Sequence, residues 1–285
     1  MSERKWKYIK IDKNDGITWI TLNRPEKRNA MSPALHEEMD QALFELEDDP
    51  DTKVVILRGA GGNFSAGQDL KEFFRENETN PRGRRKAQAE ANRWRWDRLY
   101  NYDKPTICMV EGYCVGGAFM QLLATDFVIA AKDATFSLSE VNWGILPGAL
   151  VSKVVADAVL YRHALWYACL GEPFDGDEAA RVGFSNMAVP HADLEAETEK
   201  LARKLMLKSP RVLRATKQAI RHVRNMDFGQ AYDYLAEKGK AIKVGDQEKS
   251  YETGLSQFLD KKSYKPVQGA FKLGTLLADE TKKKK

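Results

Sequence analysis

Two apolar strands, each ending in a small-residue turn that leads into a helix, constrain this chain more than any other feature. Val54-Val55-Ile56-Leu57 runs without a polar break into the loop Gly59 to Gly62, then into Phe64-Ser65-Ala66-Gly67-Gln68-Asp69-Leu70. Thr106-Ile107-Cys108-Met109-Val110 runs likewise into Gly112, Gly116 and Gly117, then into the helical composition of Ala118 to Ala124. A continuous apolar strand suits a sheet covered on both faces. A repeated strand, turn and helix calls for a right-handed β/α spiral rather than a sandwich. The fold class is therefore α/β.

The flanking segments fit that body. Residues 6–22 form a hairpin that turns at Asn14-Asp15-Gly16. A cationic loop, Asn23 to Ala30, precedes Ser32-Pro33, which starts a helix carrying Leu35, Met39, Ala42, Leu43 and Leu46 on one stripe. Residues 75–86, with Pro81 and Gly83, read as a mobile polar loop before a helix from about Ala87 to Tyr100. Trp94 and Trp96 lie two apart on it, so one packs on the core and the other lines a pocket or contact. Phe127 to Ala131 is a short strand, and an apolar helix is expected from about Leu150 to Leu170. Asp175 to Arg181 has the spacing of a capping box and stops at Gly183; Asn186 to Val189 is a last strand. From His191 on, the pattern is helical only. The expected division is a core over 1–190, a helical domain over 191–266 and a disordered tail over 267–285. The helical part is too thin to cover its own apolar faces and is expected to pack on another subunit.

Candidate chemistry gathers between Glu111 and Pro147. Glycines at a strand-to-helix corner leave backbone N–H groups bare to a ligand. Glu140 follows as a single nearby acid, and donors plus one acid polarise a carbonyl and move a proton. The Ser65 to Gln68 turn is a second donor site. By themselves these glycines favour a tight, well-packed strand-to-helix corner with a surface glutamate.

Bulk properties remove other classes. Across 285 residues the net charge is only +4, so no global nucleic-acid field is indicated. The cluster Arg82, Arg84, Arg85 and Lys86 reads as a solvated face and Lys282 to Lys285 as a frayed end. Cys108, Cys114 and Cys169 have no metal-like or paired spacing and read as buried free thiols; the four histidines are scattered, so no metal site is expected. No signal peptide or spanning segment is legible, and a cytoplasmic protein away from membranes is expected.

Taken together, the chain resembles the crotonase (enoyl-CoA hydratase/isomerase) superfamily. The resemblance rests on Leu22-Asn23-Arg24-Pro25 with Asn29-Ala30, Phe64 to Leu70, Gly112 with Gly116-Gly117, Asp126, Phe136 to Gly148, Gly183 to Asn186, and Gly254-Leu255 with Phe258-Leu259. Within it the chain looks most like the hydroxycinnamoyl-CoA hydratase-lyases, through Arg24 to Pro33, Asp69 to Arg75, Trp94-Arg95-Trp96, Ser139 to Ile145, and Phe258 to Ser263. That likeness implies a spiral core of ββα units with a C-terminal helical trimerisation domain. It implies an acyl-CoA thioester substrate, no separate cofactor, no nucleic acid, and a trimer or dimer of trimers. It places oxyanion-hole N–H groups at Gln68 and Gly117 and the catalytic carboxylate at Glu140. Adenine is expected along Ser65, Ala66 and Gly67, with phosphates near Lys27 and Arg28. The rest of the substrate is expected against Ala30, Asp69, Leu70, Phe73, Gly116, Met120, Trp143 and Gly144, with Tyr234, Ala236, Phe258 and Lys261 from the helical part.

Three departures bear on the reaction. Met120 stands where ordinary hydratases carry a second glutamate. Phe73 and Ala236 stand where the lyases carry tyrosines that bind the substrate's 4-hydroxyl, and losing such a partner relaxes selection for that hydroxyl. Gln68 replaces the lyases' usual methionine, which leaves its backbone N–H available. Three readings stay open: hydration and cleavage of an arylpropenoyl-CoA, hydration of another enoyl-CoA without cleavage, and an RNA-binding protein on the same fold.

Overall fold

The computed structural model describes residues 5–246, 249–265 and 269–272. Its first strands, β1 (Ile9–Asn14) and β2 (Ile17–Leu22), are antiparallel. Asn14 pairs with Ile17, so the turn is only Asp15-Gly16, both at positive φ (46° and 84°), the two-residue geometry that matches strand twist. β3 (Val54–Gly59), β4 (Thr106–Val110), β6 (Phe127–Ala131) and β8 (Met187–Val189) then add in parallel, giving the order β1-β2-β3-β4-β6-β8. In register, Leu57 faces Cys108 and Cys108 faces Val128. Residues Val54 to Leu57 and Thr106 to Val110 are buried throughout, as the unbroken apolar runs require. A smaller parallel sheet pairs β5 (Tyr113–Val115) with β7 (Thr135–Ser137), and Ser65 bridges to Cys114 at its edge.

Helices fill the crossovers. Ser32 caps α1 (Pro33–Glu47), accepting from the Leu35 N–H, and Leu35, Met39, Ala42 and Leu43 are fully buried. The expected loop over 75–86 is largely helix: α2 (Pro81–Asn92) begins at Pro81, with Asn80 accepting from the Gly83 N–H at 2.9 Å. Pro81 is a first-turn proline, where its missing N–H costs nothing. The helix continues in a wider-wound segment, Arg93–Leu99; Trp94 is buried, and Trp96 stacks on Tyr100 at 4.7 Å. α3 (Ala118–Ala124) has the expected bounds. The expected helix over 150–170 is two, α4 (Val151–Ala158) and α5 (Tyr161–Leu170), because Val159 and Leu160 are extended (ψ 165° and 142°). α6 (Gly176–Val182) carries only half a capping box: Asp175 accepts from the Glu178 N–H, but Glu178 turns to Tyr167 and Arg181. Cys108 and Cys114 are buried as expected, whereas Cys169 is exposed.

Contacts divide the chain into Met1–Ala202 and Arg203–Lys285. The division falls inside α7 (Leu194–Met206), beyond the boundary read at residue 190. Leu194, Thr198 and Ala202 are buried, and Arg58 reaches Glu195 at 3.2 Å, which holds the start of α7 in the first unit. The second unit carries α8 (Pro210–Val223), α9 (Phe228–Val244) and α10 (Ser250–Leu255). Of the tail read as disordered, residues 269–272 are described, and the Lys272 backbone pairs through both N–H and C=O with the Gln257 amide; residues 267–268 and 273–285 lie outside the described residues. Among the described residues no helix is long and apolar enough to cross a membrane.

Candidate active site

The first turn is built by consuming every nearby amide but one. Ser65 N–H donates to Tyr113 O, Ala66 N–H to Arg28 O, Gly67 N–H to Ser65 Oγ at 3.1 Å, and Asp69 N–H to Met31 O. Ser65 Oγ donates to Asn29 O at 2.8 Å, fixing the cationic loop beneath. The Gln68 N–H has no protein acceptor among the described residues. Gly67 is held at φ 88°, and a Cβ there would stand 2.6 Å from Val115 O, so the position requires glycine.

The second turn arrives opposite. Gly116 (φ 55°) donates to Ser137 O at 2.9 Å, and Gly117 caps α3, its own N–H also without an acceptor among the described residues. A Cβ on Gly117 would lie 3.5 Å from Gln68 N, and one on Gly67 3.2 Å from Gly117 N. Two idle N–H groups therefore face one small space. Both residues are half-buried, so the pair is reachable, and two N–H groups left without a protein acceptor side by side are a place for a ligand oxygen.

Glu140 completes the group. It sits in a short 3₁₀ turn, Ser139–Trp143, anchored by buried Leu138 and by Asn142 donating to Gly171 O at 3.0 Å. A Cβ on Gly116 would touch Glu140 Oε1 at 3.3 Å, which puts the carboxylate against the residue before the Gly117 donor. Glu140 is not the surface residue the glycine corner alone suggested: it is 9% exposed, and its Oε2 has no hydrogen-bond partner among the described residues. Burial pushes its carboxyl above the ordinary glutamate range, only partly offset by its own backbone N–H. An acid desolvated and unpaired is suited to accept and return a proton.

The other expected residues fall into three groups. Gly116, Phe73 and Met120 are buried; Ala30 and Ala66 are half-buried. Phe73 packs on Ala87 and Ala91, with its ring edge-on to His36 at 5.7 Å. Met120, one turn into α3, is 1% exposed and brings no second acid. Asp69 receives Arg24 at 3.1 Å and the Lys71 and Glu72 N–H groups. Lys27, Arg28, Leu70, Trp143 and Gly144 are exposed, with the Arg28 guanidinium 4.9 Å from the Tyr113 ring. Tyr234, Ala236, Phe258 and Lys261 belong to the second unit. There the Tyr234 hydroxyl meets His222 Nδ1 at 2.8 Å, Ala236 and Lys261 are exposed, and Phe258 lies edge-on to Tyr264.

Sequence reasoning gave no role to the layer behind the turns. The Trp94 indole donates to His36 Nδ1 at 2.8 Å, and His36 Nε2 meets Gln68 Oε1 at 2.8 Å. An indole N–H can only donate, so the His36 proton belongs on Nε2. Burial, then the Arg95 charge, hold His36 well below its ordinary pKa despite the Gln68 contact, and it is neutral. Nothing in a lone histidine of the α1 stripe signals this. A polar cleft of about 560 Å³, lined by Lys10, Arg58, Glu111, His191 and Glu195 among others, shares no residue with the site. No cluster of three metal-ligating side chains occurs among the described residues.

A parallel-sheet spiral with two open amides beside a buried carboxylate now has relatives to be set against. Residues 12–267 match the enoyl-CoA hydratase/isomerase family, and the chain belongs to it. It is 48% identical over 271 residues to a hydroxycinnamoyl-CoA hydratase-lyase of Pseudomonas fluorescens, across 95% of this chain and 98% of that protein. It is 32% identical over 240 residues to a carnitinyl-CoA dehydratase of Escherichia coli K12, across 80% and 85%. Among solved structures, Pseudomonas aeruginosa AtuE superposes with a TM-score of 0.81 at 29% identity, covering 90% of this chain and 97% of that one. An enoyl-CoA hydratase from Polaromonas sp. JS666 gives 0.82 at 26%, covering 89% and 97%.

Proposed function

We propose that this chain hydrates a trans-arylpropenoyl-CoA and then cleaves the adduct to an aromatic aldehyde and acetyl-CoA. The observation that carries the chemistry is the pair of open amides, Gln68 and Gly117, beside the unpaired Glu140 carboxylate. The likeness to a hydroxycinnamoyl-CoA hydratase-lyase supports the acyl group. The thioester oxygen accepts from both N–H groups. Glu140 takes a proton from water as the hydroxyl adds to Cβ, and the charge moves to the thioester oxygen as an enolate. Glu140 returns the proton to Cα. In the second half Glu140 takes the β-hydroxyl proton, the C–O bond becomes a carbonyl, and the Cα–Cβ pair moves into the enolate of acetyl-CoA. Return of the proton to that carbon restores Glu140. One such donor is worth about 3–4 kcal/mol of barrier. CoA enters as part of the substrate, and the proposal calls for no further cofactor.

Buried apolar Met120 supports a single-carboxylate scheme, since it leaves Glu140 to carry both proton transfers. We further propose that the protein works in the cytoplasm as a trimer or dimer of trimers. Support comes from the apolar surface of the first unit, where Trp143, Leu146, Leu160, Tyr161 and Trp166 are each more than half exposed. The deciding assay incubates the protein with feruloyl-CoA, 4-coumaroyl-CoA and cinnamoyl-CoA and follows aldehyde by absorbance and products by mass spectrometry. Aldehyde plus acetyl-CoA is expected. A β-hydroxyacyl-CoA as the sole product would replace this reading with hydration alone.

A further inference from the structure

Arg95 lies in the layer behind the two turns and is 1% exposed. Its Nε donates to Ala91 O at 2.8 Å and its Nη1 to Gly117 O at 3.3 Å. No carboxylate lies within ion-pair distance of it among the described residues. Burial lowers its pKa to about 9, so it stays a cation at neutral pH. A buried charge without a counter-ion is among the costliest things a fold can hold.

The Gln68 amide does not relieve it. With the amide reversed, its oxygen would accept from Arg95 Nη1 at 3.3 Å and its nitrogen would donate to Met31 O at 3.1 Å. That reversal would set an amide N–H against the His36 Nε2 proton across 2.8 Å. The imidazole proton is fixed by Trp94, and its contact is the shortest of the three, so the amide oxygen faces His36, which leaves that oxygen 3.1 Å from Met31 O and turns the amide nitrogen toward Arg95 Nη1 at 3.3 Å, donor against donor. Arg95 is left with two backbone carbonyls as its acceptors. One belongs to Gly117, whose N–H is an open donor of the site.

We propose that Arg95 is the counter-charge for the anion that forms on the thioester oxygen, and that it also positions Gly117. The inference rests on the oxyanion reading of Gln68 and Gly117. In the resting protein the guanidinium lacks an anion; in the enolate it gains one. It does not touch the substrate. Phe119 N–H holds Gly116 O at 3.0 Å, fixing the peptide before the Gly117 donor, and Arg95 holds the peptide after it. Attraction across roughly 8 Å, at an effective dielectric near 20, is worth about 30-fold in rate.

The test uses 4-(dimethylamino)cinnamoyl-CoA, a donor–acceptor chromophore whose absorption moves to the red as its carbonyl is polarised. The wild-type protein should bind it with a red shift; no shift would reject the oxyanion reading itself. In Arg95→Met, Kd and KM are expected within about fivefold of wild type, with the red shift much reduced and kcat down about 30-fold. Arg95→Lys, which keeps the charge and loses the planar donors, should retain most of the shift. A full shift with unchanged kcat in folded Arg95→Met would overturn the inference and leave the oxyanion reading standing. Should Arg95→Met not fold, Arg95→Lys decides alone: bound probe without a shift refutes the role of the charge.

Discussion

Gly117→Ala separates activity from stability. The backbone there (φ −55°, ψ −11°) is open to alanine, so the change brings no left-handed strain. Relative to glycine it stabilises by about 0.4–1 kcal/mol through the unfolded chain. The new Cβ, however, stands 3.0 Å from Gln68 Cγ and 3.5 Å from Gln68 N. Carbon atoms rest at about 3.5–4.0 Å, so the Gln68 side chain must give way, while the methyl group itself takes up the space in front of the Gln68 N–H. A thioester oxygen pushed back by that methyl group no longer comes within hydrogen-bond distance, about 2.7–3.2 Å, of the Gln68 N–H. Losing one donor costs about 10²–10³ in kcat. The overpacking costs about 1–3 kcal/mol, so net stability falls by about 2.6 kcal/mol or less and the protein stays folded at 25 °C. Aldehyde release from feruloyl-CoA measures the first quantity, and urea unfolding the second. Gly62→Ala is the control: nothing lies within 4 Å of its Cβ and φ is 72°, so it should lose about 1–2 kcal/mol of stability and keep its kcat. A Gly117→Ala protein with kcat within threefold of wild type and unchanged stability would refute the placement of the donor.

Glu140→Gln should lower kcat by at least about 10²–10⁴ while CoA-ester binding, followed by calorimetry, persists. Because burial raises the Glu140 pKa, its ionised form penalises the folded state at neutral pH. The variant should therefore be the more stable protein at pH 7, with the difference closing below the ordinary glutamate range, and the wild-type kcat should fall on an acid limb above that range. For Asp69 the sign reverses. Its burial is outweighed by the Glu72 N–H, Arg24 and the Lys71 N–H, which hold its pKa below normal. Stability from it is present above about pH 4 and lost as pH falls through its folded pKa, so Asp69→Asn should converge on wild type in acid denaturation. Arg24→Met strands that carboxylate and should cost about 3–5 kcal/mol in urea. Ser32→Ala, which removes the α1 cap, should cost about 1 kcal/mol by the same measurement.

What was legible in the sequence had a local cause. Unbroken apolar runs can only be strands covered on both sides, so β3, β4 and β6 lie where the pattern puts them. Misreadings arose where one residue serves two local roles. Pro81 ends a helix as readily as it begins one, and the Asn80 cap decides for a beginning. The 150–170 run has helical composition throughout, yet Val159 and Leu160 go extended without a glycine or proline to announce it. Glu178 has the spacing of a capping residue but turns to Tyr167 and Arg181 instead.

The sequence by itself set out the parallel α/β body and two glycine-bearing donor turns with Glu140 near one of them, and the resemblance to the crotonase superfamily narrowed the donors to Gln68 and Gly117. Such features depend on neighbours within a few residues: turn geometry, apolar periodicity, a cap. Only the tertiary structure decided which amides are left open, because an N–H is idle only once every other acceptor near it is taken. It alone showed that Glu140 is buried and unpaired rather than on the surface. It alone also brought Trp94 to His36, 58 positions away, and Arg95 to Gly117, 22 away. Burial and long-range pairing set charge and proton position, and neither is encoded at the residue that feels them.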